Sequence, residues 1–162
     1  MTVRTDLSRS TYGDASVDAS LRQATTRLAV DTRGQGFTDL TVHVRLWLET
    51  IGAVEGLLTA FVRHTSASLV IQENADPDVR ADLTDALDRL APQSAGYRHT
   101  IEGPDDMPAH IKAMVTSTSI GIPVIDGSPV LGTWQALYLA EHRDDPHRRE
   151  VVLHFIGSRR EA

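Results

Sequence analysis

The sequence contains no cysteine, no long apolar run and no surplus of positive charge. Without cysteine the chain can form neither disulfide bonds nor thiolate metal sites. No apolar stretch approaches the roughly 20 residues that are needed to span a bilayer. The N-terminal segment also lacks the apolar centre of a signal peptide, so we expect a cytoplasmic protein with no membrane partner.

The charge balance limits the class of ligand. The net charge is −6 and the sequence pI is about 5.6, so there is no basic stripe that could neutralise a long run of phosphates. This argues against a nucleic-acid partner. A small phosphorylated ligand stays open, because it needs only two or three local hydrogen-bond donors.

The length of 162 residues and the apolar fraction of 41% are typical of one globular domain with its own core. Residues 1–19 are rich in serine, threonine and aspartate and offer little to bury, which predicts a flexible N-terminal extension. Residues 20–162 are then predicted to form a single domain.

Hydrophobic periodicity and turn signals predict a mostly antiparallel α+β fold, a sheet or sandwich with six or seven strands and two or three helices. The strands are predicted at 20–30, 56–65, 67–74 and 149–157, with two more in 120–142 joined by a turn at Asp126 and Gly127. Helices are predicted at 76–92 and 107–116. In the first of them Asp76 or Asp78 is the candidate N-cap, and the candidate core face is Val79, Leu83, Leu87 and Leu90.

The segment 37–50 fits two kinds of element. Its apolar residues alternate as they would in a strand, yet Leu40, Val44 and Trp47 also form a helical stripe, with Thr38 as a candidate N-cap. Periodicity does not decide between the two.

Polar chemistry flanks the apolar run at 67–72. His64 and Ser66 precede it, and Asn74 and Asp76 follow it at the start of a predicted helix. Such residues commonly cap turns and helices, but a helix N-terminus also suits an anion. His99 and His110 lie in polar segments further along, and three imidazoles can hold zinc with one open position. Their spacings match no local metal signature.

The segment "LGTWQALYLAEHR" carries a second group of candidates. Trp134 is predicted to fill the core or an interface. Gln135 and Glu141 could direct polar groups into a pocket, and Glu141 could orient an imidazole or meet Arg143. The nearby cations Lys112 and Arg149 are expected by default to be solvated.

Four motifs together resemble the YjbQ family, also known as UPF0047 and as secondary thiamine-phosphate synthase enzymes. They are "HTSASLVIQENADPDVRADL", "YRHTIEGPDDMPAHIK", "IPVIDGSPVLGTWQALYLAEHR" and "RREVVLHFIG". The match runs from about residue 21 to 157 in the same order. Ser117 departs from the family pattern, where glycine often precedes the Thr-Ser pair.

The resemblance implies an α+β fold built around a β-sandwich, a homotrimer, and a helix at 38–51. It also implies a pocket that holds a divalent metal or an anion. The metal ligands carried over are His64, His99 and His110. Catalytic positions are Glu141, His64, Asn74 and Asp76, and substrate or phosphate positions are Ser66, Lys112, Thr133, Gln135 and Arg149. The two polar ends of the 67–72 strand would be two walls of that pocket.

The family label implies an activity that joins an aminopyrimidine diphosphate to a thiazole phosphate and expels pyrophosphate. Zinc suits three imidazoles, although nickel, copper, manganese or an anion would also fit. The chain has no glycine-rich phosphate loop and no aspartate-rich diphosphate signature, so the natural reaction of the family could differ from its name. A metal-dependent phosphoester hydrolase and a non-catalytic ligand-binding trimer are the alternatives.

Overall fold

The computed structural model describes residues 21–160, and the predicted extension at 1–19 lies outside them. The strands are β1 Arg22–Asp31, β2 Gly36–Asp39, β3 Ala53–Val62, β4 Ala67–Glu73, β5 Ser119–Ile125, β6 Ser128–Pro129, β7 Gln135–Glu141 and β8 Arg148–Arg159. The helices are α1 Thr41–Thr50, α2 Pro77–Leu90 and α3 Asp106–Val115. None of the described helices is long and apolar enough to cross a membrane.

The strands form two antiparallel sheets. One has the order β1-β8-β3-β5-β6 and the other has the order β2-β7-β4. Alternate residues of both sheets enter one buried cluster, because successive side chains of a strand point to opposite faces. Leu58, Leu153 and Phe155 come from the first sheet, and Leu69 and Leu139 come from the second. The predicted α+β class with mostly antiparallel strands is confirmed.

The resemblance implied a helix at 38–51, and a helix does form there, but it begins at Thr41 after the short strand β2. The helix α1 begins where the Oδ1 atom of Asp39 accepts a hydrogen bond from the Thr41 N–H at 2.7 Å. Val44 and Leu48 are fully buried on its inner face. The prediction of Thr38 as the N-cap was wrong, because Thr38 belongs to β2 and pairs with Leu139.

The helix α2 begins as predicted. Asp76 caps it by accepting a hydrogen bond from the Asp78 N–H at 2.9 Å, and proline stands in its first turn. The apolar face of α2 is only half-buried, and Leu90 is 58% exposed. The prediction that this face belongs to the core was therefore wrong. Arg80 of this helix lies over the ring of Tyr138 on β7, on the face of the three-stranded sheet opposite to the core.

The predicted turn at Asp126 and Gly127 joins β5 to the two-residue strand β6. Both residues have a positive φ, as a type I′ hairpin requires. The chain then crosses to the other sheet as β7. Trp134 precedes β7 and is 66% exposed, so its predicted place in the core of the chain was wrong.

Candidate functional site

Two imidazoles and one carboxylate converge at the start of α3. Asp106 and His110 lie one turn apart on the same helix face, and His99 comes from the preceding loop. The Oδ2 atom of Asp106 is 2.7 Å from His99 Nε2 and 3.2 Å from His110 Nε2. One ligand atom from each residue lies within 4.8 Å of the others. This is a donor set that divalent transition metals accept.

The orientation of His110 makes this set suitable for a cation. Its Nδ1 donates to the Thr65 carbonyl at 3.1 Å, so the neutral ring carries its proton there. Its Nε2 atom is then directed at the Asp106 carboxylate, 3.2 Å from Oδ2. A backbone carbonyl on Nδ1 is also the usual way in which a metal-binding imidazole is oriented.

His64 is not a member of this group. Its Nε2 accepts a hydrogen bond from the Glu150 N–H at 2.9 Å, and its Nδ1 lies 3.4 Å from Arg149 Nη1. Burial, together with the positive charge of Arg149, lowers the pKa of His64. The three-histidine set expected from the sequence is therefore replaced by His99, Asp106 and His110.

A cleft connects His64 to this group. His64, Thr65 and His110 line an open space of about 280 Å³ beside α3. A wider groove of about 560 Å³ continues along Arg63 and Ser66 to Phe61 at the end of β3. His64 therefore lies close to His110 across open solvent, although it does not share its partners.

A buried ion pair supports the His64 side of the cleft. Arg149 donates from Nε and Nη2 to both oxygens of Glu141, and Thr32 donates to the Oε2 atom of Glu141 at 2.9 Å. Burial alone would raise the pKa of Glu141, but the hydrogen bonds from Arg149, the Arg143 N–H and Thr32 hold it below its usual value. Glu141 is thus a fixed carboxylate and contacts no imidazole, so it fits neither proton transfer nor the orientation of a ligand histidine.

Two expected phosphate contacts have other partners. Lys112 is buried, and its ammonium group binds Asp88 of α2 at 2.5 Å. Ser66 is also buried, and its carbonyl faces Arg149 Nη2 at 3.5 Å. Arg149 is buried as well, so the expectation of solvated charges at Lys112 and Arg149 was wrong. Only the Nη1 atom of Arg149 faces the cleft side of His64.

The remaining candidates lie at the opposite end of β4. The strand has seven residues and so spans about 20 Å, which separates Asn74 and Asp76 from His64 within the chain. The amide of Asn74 donates to the carbonyls of Thr133 and Gln135, and the side chain of Gln135 accepts from the Gly132 N–H. The structure does not place both ends of the strand in one pocket of the chain. Asn74 and Gln135 instead brace the turn before β7, and Asp76 caps α2.

A hydroxyl–imidazole pair lies under the helices. Ser68 Oγ is 2.8 Å from His142 Nε2, and burial lowers the pKa of His142 to about 4 with help from the Lys112 charge. Both side chains are fully buried, so no substrate reaches them. The pair contributes to packing between the three-stranded sheet and α3.

The sequence prediction missed two members of the site, Asp106 and Arg143. The predicted helix began at residue 107, one residue after Asp106, so the four-residue spacing to His110 was not recognised. Arg143 contacts Asp106 from 37 positions away, and no local pattern signals such a contact.

The comparisons with known proteins agree on one family. The family model for UPF0047 protein YjbQ-like matches residues 26–158. The UPF0047 protein sll1880 of Synechocystis sp. is 47% identical over 86% of this chain and 95% of its own length. The UPF0047 protein YjbQ of Salmonella typhimurium is 40% identical over 80% of this chain and 95% of its own length.

Solved structures give the same result. A crystal structure from Clostridium acetobutylicum, described as an uncharacterized conserved protein of the YjbQ/UPF0047 family, matches with a TM-score of 0.75 and 35% identity. The match covers 80% of this chain and 98% of that protein. The matches in sequence and in fold span nearly all the described residues, and the chain therefore belongs to the YjbQ/UPF0047 family.

Proposed function

We propose that the chain is a divalent-metal-dependent enzyme that acts on small phosphorylated molecules. The observation that supports it is the meeting of His99, Asp106 and His110, with the Nε2 atoms of both imidazoles directed at one carboxylate oxygen. Two imidazoles and one carboxylate suit zinc best, and they also bind other first-row divalent metals. When bound, such an ion supplies Lewis-acid stabilisation to a phosphoryl oxygen.

His64 and Arg149 supply the neighbouring ligand contacts. Since His64 Nε2 accepts from the Glu150 N–H, the neutral ring carries its proton on Nδ1, next to Arg149 Nη1. The charged Nη1 of Arg149 lies 3.4 Å from this nitrogen, and both residues line a space of about 290 Å³ where a phosphate oxygen could accept from them. A phosphorylated molecule held there extends along the cleft toward His110.

The resemblance drawn from the sequence motifs implies transfer, and we propose transfer ahead of hydrolysis for that reason. In that reaction the thiazole phosphate joins the aminopyrimidine carbon and pyrophosphate leaves, so negative charge builds up on the departing group. The His64 and Arg149 donors are suited to that charge. Phosphoester hydrolysis would use the same groups on a simpler substrate, and ligand binding without turnover is the third alternative.

The test measures turnover with and without metal. The zinc-loaded and the chelator-treated proteins are incubated with both thiamine precursors or with a simple phosphate monoester, and thiamine phosphate and free phosphate are quantified. We expect metal-dependent product that is lost in H110A and kept in the control H43A, whose histidine is exposed on α1. Product at the wild-type, zinc-loaded level in H110A or in the chelator-treated protein would overturn the proposal.

The homotrimer implied by the resemblance also belongs to this proposal. The outer face of the five-stranded sheet exposes Leu57, Phe61 and Ile156 by about two-fifths each, and an apolar face of this kind favours a protein contact. Phe61 also borders the larger groove, so an adjacent copy would lie beside the cleft. Sedimentation equilibrium should give three times the chain mass of 17.7 kDa, and a single-chain mass would contradict a trimer.

A further inference from the structure

One arginine binds acceptors on three residues around the start of α3. The Nε atom of Arg143 donates to Asp105 Oδ2 at 2.8 Å, and Nη1 donates to Asp106 Oδ1 at 2.5 Å. The Nη2 atom donates to the Glu102 carbonyl at 2.6 Å. The side chain is 14% exposed, so solvent screens these contacts only weakly. Arg143 thus joins the end of β7 to both the loop and the helix that carry the imidazoles.

We infer that Arg143 is a positioning residue that sets the orientation of the Asp106 carboxylate toward His99 and His110. This rests on the metal site proposed above. With Oδ1 of Asp106 bound by the guanidinium, Oδ2 is the oxygen that faces both imidazoles. Rotation of the carboxylate would break a charge-assisted hydrogen bond in a side chain that is only 2% exposed.

The contact with Glu102 extends this role to His99, which lies on a loop without regular structure. Arg143 binds the Glu102 carbonyl and both oxygens of Asp105. These contacts fix the last part of that loop against α3. The lack of a side chain at Gly103 leaves room for the Asp105 carboxylate beside the backbone of this loop. A Cβ at this position would lie 2.9 Å from Asp105 Oδ1, and the φ of +109° disfavours other residues.

The backbone of Arg143 is itself fixed. Its N–H donates to Glu141 Oε1 at 3.0 Å, and Glu141 is bound by Arg149. A chain of contacts therefore connects the His64 side of the cleft to Asp106. Lysine cannot replace this arginine, because one ammonium group lacks the planar fork that reaches several acceptors at once.

The test titrates the purified full chain with Co²⁺, followed by calorimetry and by visible absorption of the bound ion. We compare the wild type with R143K and with the matched control R89K, whose arginine is exposed on α2. R143K should bind Co²⁺ about 10–100-fold more weakly, which is the usual effect of losing an outer-shell partner of a metal ligand. Its cobalt bands should also shift, and R89K should match the wild type in both measurements.

The outcomes separate this inference from the proposed function. If the wild type binds no Co²⁺, or H99A and H110A bind it as tightly, the metal site fails and this inference fails with it. If binding needs both histidines while R143K keeps wild-type affinity and bands, only the role of Arg143 is overturned. A purely structural role would lower the melting temperature of the metal-free R143K and leave affinity and bands unchanged.

A second variant covers the case in which R143K does not fold. D105N preserves the size of the side chain, but it removes the charge that holds the guanidinium of Arg143 in place beside Asp106. We expect about tenfold weaker Co²⁺ binding, at the lower end of the same range. Unchanged affinity in a folded D105N would overturn the inference.

Discussion

Arg149 donates two hydrogen bonds to Glu141, from Nε to Oε2 at 2.7 Å and from Nη2 to Oε1 at 2.5 Å. Both side chains are almost completely buried, and they join β8 to β7 across the edge of the sandwich. The pair lies beside His64 and so fixes one wall of the candidate cleft. A buried pair of this kind is sensitive to the loss of either member.

The E141Q and R149M variants should each lose about 3–5 kcal/mol of unfolding free energy, because each leaves one buried charge without its partner. Urea denaturation followed by circular dichroism measures the loss. The double variant E141L/R149M should lose less than the sum of the two single changes. Additive losses would show that the two residues do not act as a pair.

His142 should make the stability depend on pH. Its pKa is lowered by burial to about 4 from 6.5, so between these values the unfolded chain binds more protons than the folded one. The free energy of unfolding should therefore fall as the pH drops from 6.5 to 4, by about 3 kcal/mol in total for this group. Urea unfolding at a series of pH values measures the slope. H142Q should reduce the slope of unfolding free energy against pH. The control H154Q, on the outer face of β8, should keep the wild-type slope. Parallel profiles for wild type and H142Q would contradict the prediction.

Metal binding should raise the melting temperature through His99, Asp106 and His110. At a zinc concentration of about 100 times the dissociation constant, the expected gain is about 2.7 kcal/mol. Melting curves with zinc and with chelator should differ for the wild type and for H64A, and should coincide for D106N. A zinc shift that survives in D106N but disappears in H64A would favour the three histidines expected from the sequence.

The exposure of Trp134 predicts a tolerant position. W134S should change the unfolding free energy by no more than about 0.5 kcal/mol, as for most surface positions. F155A removes a fully buried ring from β8 and should lose about 3–5 kcal/mol. Chemical denaturation of both variants in dilute solution provides the comparison. A large loss in W134S would place the ring in a contact that the single chain does not contain.

Much of the fold could be predicted because it depends on local patterns. Alternation located β1, β3, β4 and β8, and the Asp-Gly pair located the β5–β6 hairpin. The cap at Asp76 followed from the preference of aspartate for helix N-termini. The segment 37–50 could not be resolved in this way, because four residues of strand precede ten residues of helix and both periods occur in it.

The site was harder to predict because its partners are distant in sequence. Lys112 and Arg149 carry no local sign of burial, yet each has a carboxylate partner that only the folded chain provides. His64 resembled a ligand by residue type, but the N–H of Glu150 occupies its Nε2. The resemblance placed Asn74 and His64 in one pocket, while the length of the strand between them holds them apart within the chain.

The position of β8 has a consequence for the synthesis of the protein. β8 is the last of the described strands, yet it pairs with β1 on one side and β3 on the other. A nascent chain that has not released β8 from the ribosome cannot close the larger sheet, and it also lacks Arg149. A fragment truncated before residue 148 should therefore lack both the larger sheet and the ion pair that fixes the His64 wall of the cleft.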